Sequence, residues 1–304
     1  MTGWDGRLRL GDTVAVVAPA GPVPGDRLDA GVAVLRSWGL RVRCSAGVRE
    51  RHPEFGYLAG TDTRRARDFQ DAWLDPDVVA VVAARGGYGC QRMLDLIDWQ
   101  ALKSAPPKLF VGSSDTTALH DAIGVHLGLP TLFAPMPATT HFDRRAAEHL
   151  RATLFEPDSV RELGAPGART LVPGSARGSL AGGNLSLLAA GVGTPESRPA
   201  DGAIALLEDV DEDVYRIDRM LTHLLRAGWF DGVRGLALGS WTSCGPAGEV
   251  RSLMLDRLGP LGVPMVWDLG FGHHAGALTV PLGVPAELDA DAARLVVGGP
   301  SLAA

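Results

Sequence analysis

The segment VGSSDTTALHDAIGVHLG, beginning at Val111, ends an apolar run abruptly and passes within a few residues into a helical pattern. Ser114 therefore falls on a sharp strand-to-helix turn, where its hydroxyl stands above a sheet and the free N–H groups of the first helical turn point outward. A serine so placed can act as a nucleophile, with the amide of Asp115 receiving the oxyanion. The flanking residues do not follow G-x-S-x-G, and a serine that only caps the helix is the competing reading. A second segment, ARGGYGCQRMLDLIDW from Ala84, sets Gly86, Gly87 and Gly89 between a strand and a helix, so that backbone amides can approach a ligand closely. It matches neither a dinucleotide nor a P-loop fingerprint, and a plain tight turn explains it as well. If both segments open on the carboxyl edge of one parallel sheet, Gly86 or Gly87 supplies a second oxyanion donor. Arg85 is a candidate cation for a substrate carboxylate, an internal ion pair being the alternative.

A serine hydroxyl needs a base at neutral pH, and histidine is the usual one. Eight histidines compete for that role. His273, in WDLGFGHHAGALTVPLG, follows a strand and a Gly-Phe-Gly break, which puts an imidazole at a strand end beside adaptable backbone. His274 is its nearest rival, whereas His120 and His126 fall on the helix after Ser114 and read as packing or surface residues. The imidazole in turn needs a carboxylate to fix its tautomer, better held on a rigid strand end than in open solvent. Glu208 closes the apolar run in AIALLEDVDED, with Asp209 as the alternative. Cys90 has a helix-start position but no base paired with it. The neighbours His273 and His274 do not make a metal site, because HExxH is absent and adjacent side chains rarely reach one ion.

The elements that must hold these residues follow from periodicity. From Thr13 to about Met136, short β-branched runs alternate with amphipathic stretches, the pattern of a doubly wound α/β sheet covered on both faces. The strands are expected at TVAVVAPA from Thr13, LRVRCSA from Leu40, VVAVVAAR from Val78, KLFVGSS from Lys108 and TLFAPM from Thr131. After His149 the pattern loosens, and the Gly-, Pro- and Arg-rich stretch from Gly164 to Gly178 reads as a linker. This divides the chain into residues 1–163, a linker at 164–178 and a second domain at 179–304. In that second domain strands are expected at Ala203 to Val210, Gly235 to Trp241, Met265 to Leu269 and Leu278 to Leu282, with a terminal hairpin through Asp289 to Asp291. A helix over DVYRIDRMLTHLLRAG places Ile217, Leu221, Leu224 and Leu225 on one face, with Gly228 as its stop.

At 304 residues the chain is long enough for two cores. A net charge of −6 with dispersed arginines offers no general attraction to nucleic acid or to anionic membranes. The opening MTGWDGRLRLGD lacks the long apolar core of a secretory signal, and no later run approaches membrane-spanning length, so a cytoplasmic protein is expected. Three cysteines, far apart and without CxxC spacing, suit free thiols.

Taken in order, these segments are similar to the LD-carboxypeptidase family of serine peptidases, which also includes the microcin C self-immunity hydrolases. The resemblance runs through VAVVAPAGPV at Val14, YLAGTDTRRARDF at Tyr57, ARGGYGCQRMLDLIDW at Ala84, PKLFVGSSDTTALH at Pro107, GGNLSLLAAGVGTP at Gly182, LLEDVDEDVYRIDRMLTHL at Leu206 and GHHAGALTVPLG at Gly272. It implies a Ser114, His273 and Glu208 triad, a Rossmann-like amino-terminal domain, a β-rich α/β carboxy-terminal domain and a homodimer. It also implies hydrolysis of the bond before a terminal D-amino acid, as in removal of D-alanine from cytoplasmic murein tetrapeptide in cell-wall recycling, without metal or organic cofactor. Two departures touch the expected pocket: Ser113 replaces an aromatic residue, and LFAPM at Leu132, with Phe133 and Ala134, replaces HGPM. The runner-up within the family is a microcin C immunity-type hydrolase of peptidyl or aminoacyl nucleotides. A reading from another class is a silent ligand-binding homologue.

Overall fold

The computed structural model describes residues 6–298. Residues 1–5, part of the opening searched for a signal, and residues 299–304 of the expected second domain lie outside the described residues. Strands β1 (Thr13–Val17), β2 (Arg41–Cys44), β3 (Val78–Ala83), β4 (Leu109–Gly112) and β5 (Thr131–Phe133) form a parallel sheet in the order β5-β4-β3-β1-β2. Strands β1, β3 and β4 are almost wholly buried, as near-continuous apolar runs require when helices cover both faces of a sheet. The helices are α1 (Gly25–Ser37), α2 (Asp62–Leu74), α3 (Cys90–Met93), α4 (Trp99–Ser104), α5 (Thr117–His126) and α6 (Arg144–Phe155). Leu28, Val32 and Leu35 of α1 and Leu150 and Leu154 of α6 pack one face. Phe69 and Trp73 of α2, Met93, Leu102, Leu119 and Ile123 pack the other. The strand order reverses between β1 and β3, and in such a sheet the crevice beyond the carboxyl ends at the reversal is where ligands bind.

The rest of the chain adds β6 (Glu162–Leu163), β7 (Arg169–Val172), β8 (Ser175–Asn184), α7 (Leu185–Gly191), β9 (Ala203–Val210), α8 (Val214–Arg226), β10 (Gly235–Thr242), α9 (Ala247–Leu258), β11 (Met265–Trp267), β12 (Val280–Leu282), β13 (Pro285–Asp289) and β14 (Arg294–Val297). Eight of these strands make a mixed sheet, curled into a half barrel, in the order β6-β14-β13-β8-β9-β10-β11-β7. Ile217, Leu221 and Leu224 of α8 are buried under it, Leu225 is half-buried, and Gly228 follows the helix at φ +72° in the left-handed region that stops it.

Two expectations differ from this structure. The stretch 164–178, read as a linker, carries β7 and the start of β8. Both are half-solvated there, and β7 is a sheet edge, so their Gly, Pro and Arg content hides the strand period. Strand β12, expected in the second domain, instead pairs antiparallel with β5 and forms an edge of the first sheet. That crossing builds a shared core in which Phe133, Val280 and Leu282 pack with Leu180, Ile204, Leu206 and Phe271. Among the described residues no helix is long and apolar enough to cross a membrane. All three cysteines are free.

Candidate active site

Strand β4 stops at Gly112, and one turn of 3-10 helix over Ser114–Thr116 leads into α5. Ser114 sits there at φ +60°. An L-residue with a Cβ pays about 1–2 kcal/mol for that left-handed conformation, so packing must impose it. The turn is closed by the amide and hydroxyl of Thr116, which donate to Ser113 O at 3.2 and 2.9 Å. The cap positions of the 3-10 turn and of α5 fall on Ser113 and Thr116 rather than on Ser114, against the capping reading.

The glycine loop leans on this turn. A Cβ placed on Gly86 would lie 2.8 Å from Ser114 Cβ, 3.0 Å from Ser114 Oγ and 3.4 Å from the amide nitrogen of Asp115, so only glycine lets the loop come this close. Gly21, after β1, donates its amide to Gly86 O at 3.1 Å and presses the loop from behind. The amides of Gly86 and Gly87 have no acceptor among the described residues, and both glycines line the cavity. Asp115 keeps its amide near Ser114, but its carboxylate is buried and turned the other way. It accepts the amide of Cys90 at 2.8 Å and so ties the Ser114 turn to the helix start after the glycine loop. Burial holds that carboxyl above its usual value, offset by the hydrogen bonds from Cys90. The Cys90 thiol is fully buried and pushed well up, by burial first and then by Asp115, the opposite of an activated thiol.

On the other side, His273 Nδ1 and Glu208 Oε2 are 2.6 Å apart, a charge-assisted hydrogen bond. Glu208, near the carboxyl end of β9, has no exposed surface, and its Oε1 accepts Asn184 Nδ2 at 3.2 Å. The His273 amide donates to Ser240 Oγ at 2.8 Å, and its carbonyl accepts Thr242 Oγ1 at 2.5 Å, so β10 grips the backbone on both sides. Gly272 is at φ +111°, and a Cβ there would meet Ser240 Oγ at 2.5 Å and Glu208 Oε2 at 2.9 Å, which explains the Gly-Phe-Gly break. With Glu208 accepting at Nδ1, the imidazole presents Nε2 as its free nitrogen. Burial works against its charged form, but Glu208, and behind it Asp209 and Asp211, outweigh burial and raise the His273 pKa above the ordinary value.

The competing groups lie elsewhere. Asp209 points to the opposite side of β9, accepting from the amide and hydroxyl of Ser186 at 3.0 and 2.7 Å and from Asn184 at 3.0 Å. Among the described residues His274 bonds only to Ala275 O, at 2.9 Å. His120 is buried between Thr131 Oγ1 and Gly112 O, its pKa lowered by burial to about 4, and His126 bonds Glu196.

Ser114, His273, Gly86, Gly87 and Arg85 line one cavity of about 190 Å³, together with Ser113, Pro135, Met136 and three groups that sequence reasoning missed: Arg27, Thr139 and His141. No hydrogen bond joins Ser114 Oγ to His273 among the described residues; both line this one cavity. Ser113 lines the cavity as expected, but Phe133 and Ala134 do not: both are buried beneath it, Phe133 edge-on to Phe271 at 6.2 Å. Sequence reasoning also missed Asn184 and Ser240, polar residues on strand ends that carry no local signature.

An α/β sheet with a strained serine at a strand-to-helix turn, on the same cavity as a histidine bonded to a buried carboxylate, is the arrangement of a hydrolase. Two family models match, the LD-carboxypeptidase N-terminal domain over residues 14–134 and the LD-carboxypeptidase C-terminal domain over residues 177–288, and the chain belongs to the LD-carboxypeptidase family. A Streptomyces coelicolor protein assigned as a carboxypeptidase is 58% identical over 97% of this chain and 96% of its own. The murein tetrapeptide carboxypeptidase of Pseudomonas aeruginosa is 33% identical over 92% of this chain and 94% of its own. The solved structure of the microcin C7 self-immunity protein MccF with glutamyl sulfamoyl guanosine superposes with a TM-score of 0.87 at 21% identity, covering 97% of this chain and 98% of that one, a likeness of fold.

Proposed function

We propose that this chain is a serine carboxypeptidase that hydrolyses the LD-peptide bond before a terminal D-alanine of murein tetrapeptide, in the cytoplasm, as a homodimer. The observation that carries the reading is the 2.6 Å bond between His273 and the wholly buried Glu208, on the same cavity as a serine held at φ +60°. Ser114 Oγ attacks the scissile carbonyl while His273 Nε2 takes its proton, and Glu208 stabilises the imidazolium. The amides of Asp115 and of Gly86 or Gly87 receive the oxyanion, where one donor is worth about 3 kcal/mol of barrier. His273 returns the proton to the leaving amine, D-alanine departs, and water attacks the acyl-enzyme with His273 as base again. Arg85 holds the departing carboxylate. The substrate class rests on the relatives that act on murein peptides.

Against a nucleotide substrate, residues 140–183 hold no Trp or Tyr, and Phe142 and Phe155 pack against the first core rather than offering a stacking face. The test is mass spectrometry of products from murein tetrapeptide, from the same peptide ending in L-alanine, and from an aminoacyl sulfamoyl adenylate. Release of D-alanine alone is expected. Cleavage confined to the adenylate, or of the L-ended peptide at equal rate, contradicts the reading. A silent binding homologue would release nothing.

A further inference from the structure

Arg65 of α2 is 1% exposed and is the only buried arginine among the described residues. Taking a guanidinium out of water is costly unless acceptors meet its N–H groups, so the acceptors it faces show what the side chain holds. Its Nη1 donates to Pro19 O and, at 2.8 Å, to Gly89 O, and its Nη2 pairs with Asp62 one turn earlier on the same helix. Asp62 also accepts Nη2 and Nε of Arg92, at 2.8 and 3.1 Å. Docking of the helix does not need this cation: Ala66, Phe69 and Trp73 of α2 already fasten it to the first sheet by apolar contact.

Pro19 lies in the loop that follows β1, and Gly89 closes the glycine loop that follows β3. These are the two loops that meet behind Ser114, where Gly21 donates to Gly86 O. One side chain is therefore bonded to both. Gly89 makes room for it: the residue is at φ +128°, and a Cβ there would lie 2.9 Å from Arg65 Nη1. Pro19 is buried and its carbonyl takes no other hydrogen bond among the described residues, whereas Gly89 O also accepts the Arg92 amide at 3.1 Å. Removing the guanidinium thus orphans Pro19 O and leaves the two loops joined by backbone alone. The Ser114 turn hangs on the same point, since the Cys90 amide, next to Gly89, donates to Asp115.

Resting on the peptidase reading of this site, we infer that Arg65 is a positioning residue for the oxyanion donors: its guanidinium holds the loop after β1 and the glycine loop in one register, and so sets where the Gly86 and Gly87 amides stand relative to Ser114. Arg65 does not line the cavity, and it acts only through the two loops it bonds.

The experiment has one readout that does not depend on turnover. Amide hydrogen exchange, followed by mass spectrometry, compares the wild-type protein with Arg65→Lys, which keeps the charge and loses the two-pronged contact. Exchange in residues 86–90 and 18–21 should quicken about 10-fold or more, while the strands at 78–83 and 109–112 exchange as before. Asp62→Asn, which frees the guanidinium from its carboxylate, should loosen the same two segments to a smaller extent, and it carries the comparison if Arg65→Lys does not fold. The second readout is D-alanine release from murein tetrapeptide. In Arg65→Lys, kcat should fall about 30-fold or more with KM within about 3-fold, because displaced oxyanion donors are lost to the transition state rather than to the bound substrate. Unchanged exchange at 86–90, equal acceleration in the strands and the loops, or a raised KM with kcat kept overturns the inference. Loops that loosen as expected, in a protein whose wild type releases no D-alanine, leave the hold of Arg65 on the loops standing and sink the hydrolytic reading; release by the wild type with loops that do not loosen does the reverse.

Discussion

The backbone amide of Asn184 donates to Thr117 Oγ1 at 3.0 Å, joining the end of β8 to the first residue of α5. The same Asn184 reaches Glu208 with its side chain, so one residue spans from the anchor of His273 to the helix that begins at the Ser114 turn. Gly183 beside it has room for nothing larger: a Cβ there would lie 2.8 Å from Thr117 Oγ1. Thr117→Val keeps the shape and leaves a buried N–H without an acceptor. It should cost about 1–3 kcal/mol in denaturant unfolding and lower kcat more than it changes KM, because the two halves of the site lose their register.

Gly86→Ala tests the close approach of the glycine loop to Ser114, the proposed nucleophile. The backbone of Gly86 is not in the left-handed region, so the added methyl meets its obstacle in Ser114 Cβ and Oγ rather than in its own strain. The variant should fold with little change in melting temperature and lose about 100-fold or more in kcat, the scale of a displaced nucleophile or a lost oxyanion donor. A variant as active as wild type would show that the loop does not constrain Ser114.

Asp115 is predicted to act through the loop as well as through its amide. Asp115→Ala leaves the Cys90 amide unpaired and should destabilise the fold by about 1–3 kcal/mol and lower activity, while Asp115→Asn, which retains an acceptor, should restore most of both. Thermal unfolding and kcat for the pair distinguish this from a role of the negative charge.

The pH dependence follows from His273. Its folded-state pKa lies above the ordinary histidine value because the attraction of Glu208 outweighs burial. The proposed mechanism makes His273 the general base, which must be unprotonated, so kcat/KM should rise with pH along a limb whose midpoint is above that of a free histidine, about 6.5. Glu208→Gln removes the attraction and should move the limb to lower pH while lowering the plateau by about 10⁴-fold, since the imidazolium loses its counter-charge. For stability the dependence on pH runs the other way. The contribution of charged His273 is fully present below the unfolded pKa and is lost as pH rises through the higher folded one. A limb that stays in place in Glu208→Gln contradicts the pairing.

How much of this was legible in the sequence differs from residue to residue. The run TVAVV at Thr13 and its counterparts at Val78 and Leu109 announce a sheet buried on both faces, because such a sheet carries near-continuous apolar runs rather than alternating ones. The Ser114 turn shows itself because Leu109–Gly112 ends without a loop before α5. Glu208 and Asp209 could not be told apart, since adjacent strand residues point to opposite faces and nothing local says which face meets His273. The structure answers through partners: Asp209 faces Ser186, Glu208 faces His273. Strand β12 was placed with the wrong sheet because its pairing with β5 spans a long stretch of chain, and only the shared core around Phe133 and Phe271 specifies it. Arg27 was missed for a simpler reason. A basic residue on the first turn of a helix looks like any solvated surface group until the fold puts it at the mouth of a cavity.

The central claim is that Ser114, His273 and Glu208 work as one unit, and its most direct test is D-alanine release from murein tetrapeptide by Ser114→Ala, His273→Ala, Glu208→Gln and the triple variant, each with its fold checked by circular dichroism. Residues acting as one unit are not additive. Each of the Ser114 and His273 substitutions alone should lower kcat by at least about 10³-fold, and the triple variant should be little worse than either. Folded single variants that retain wild-type turnover, or losses that multiply independently in the triple variant, would contradict the account.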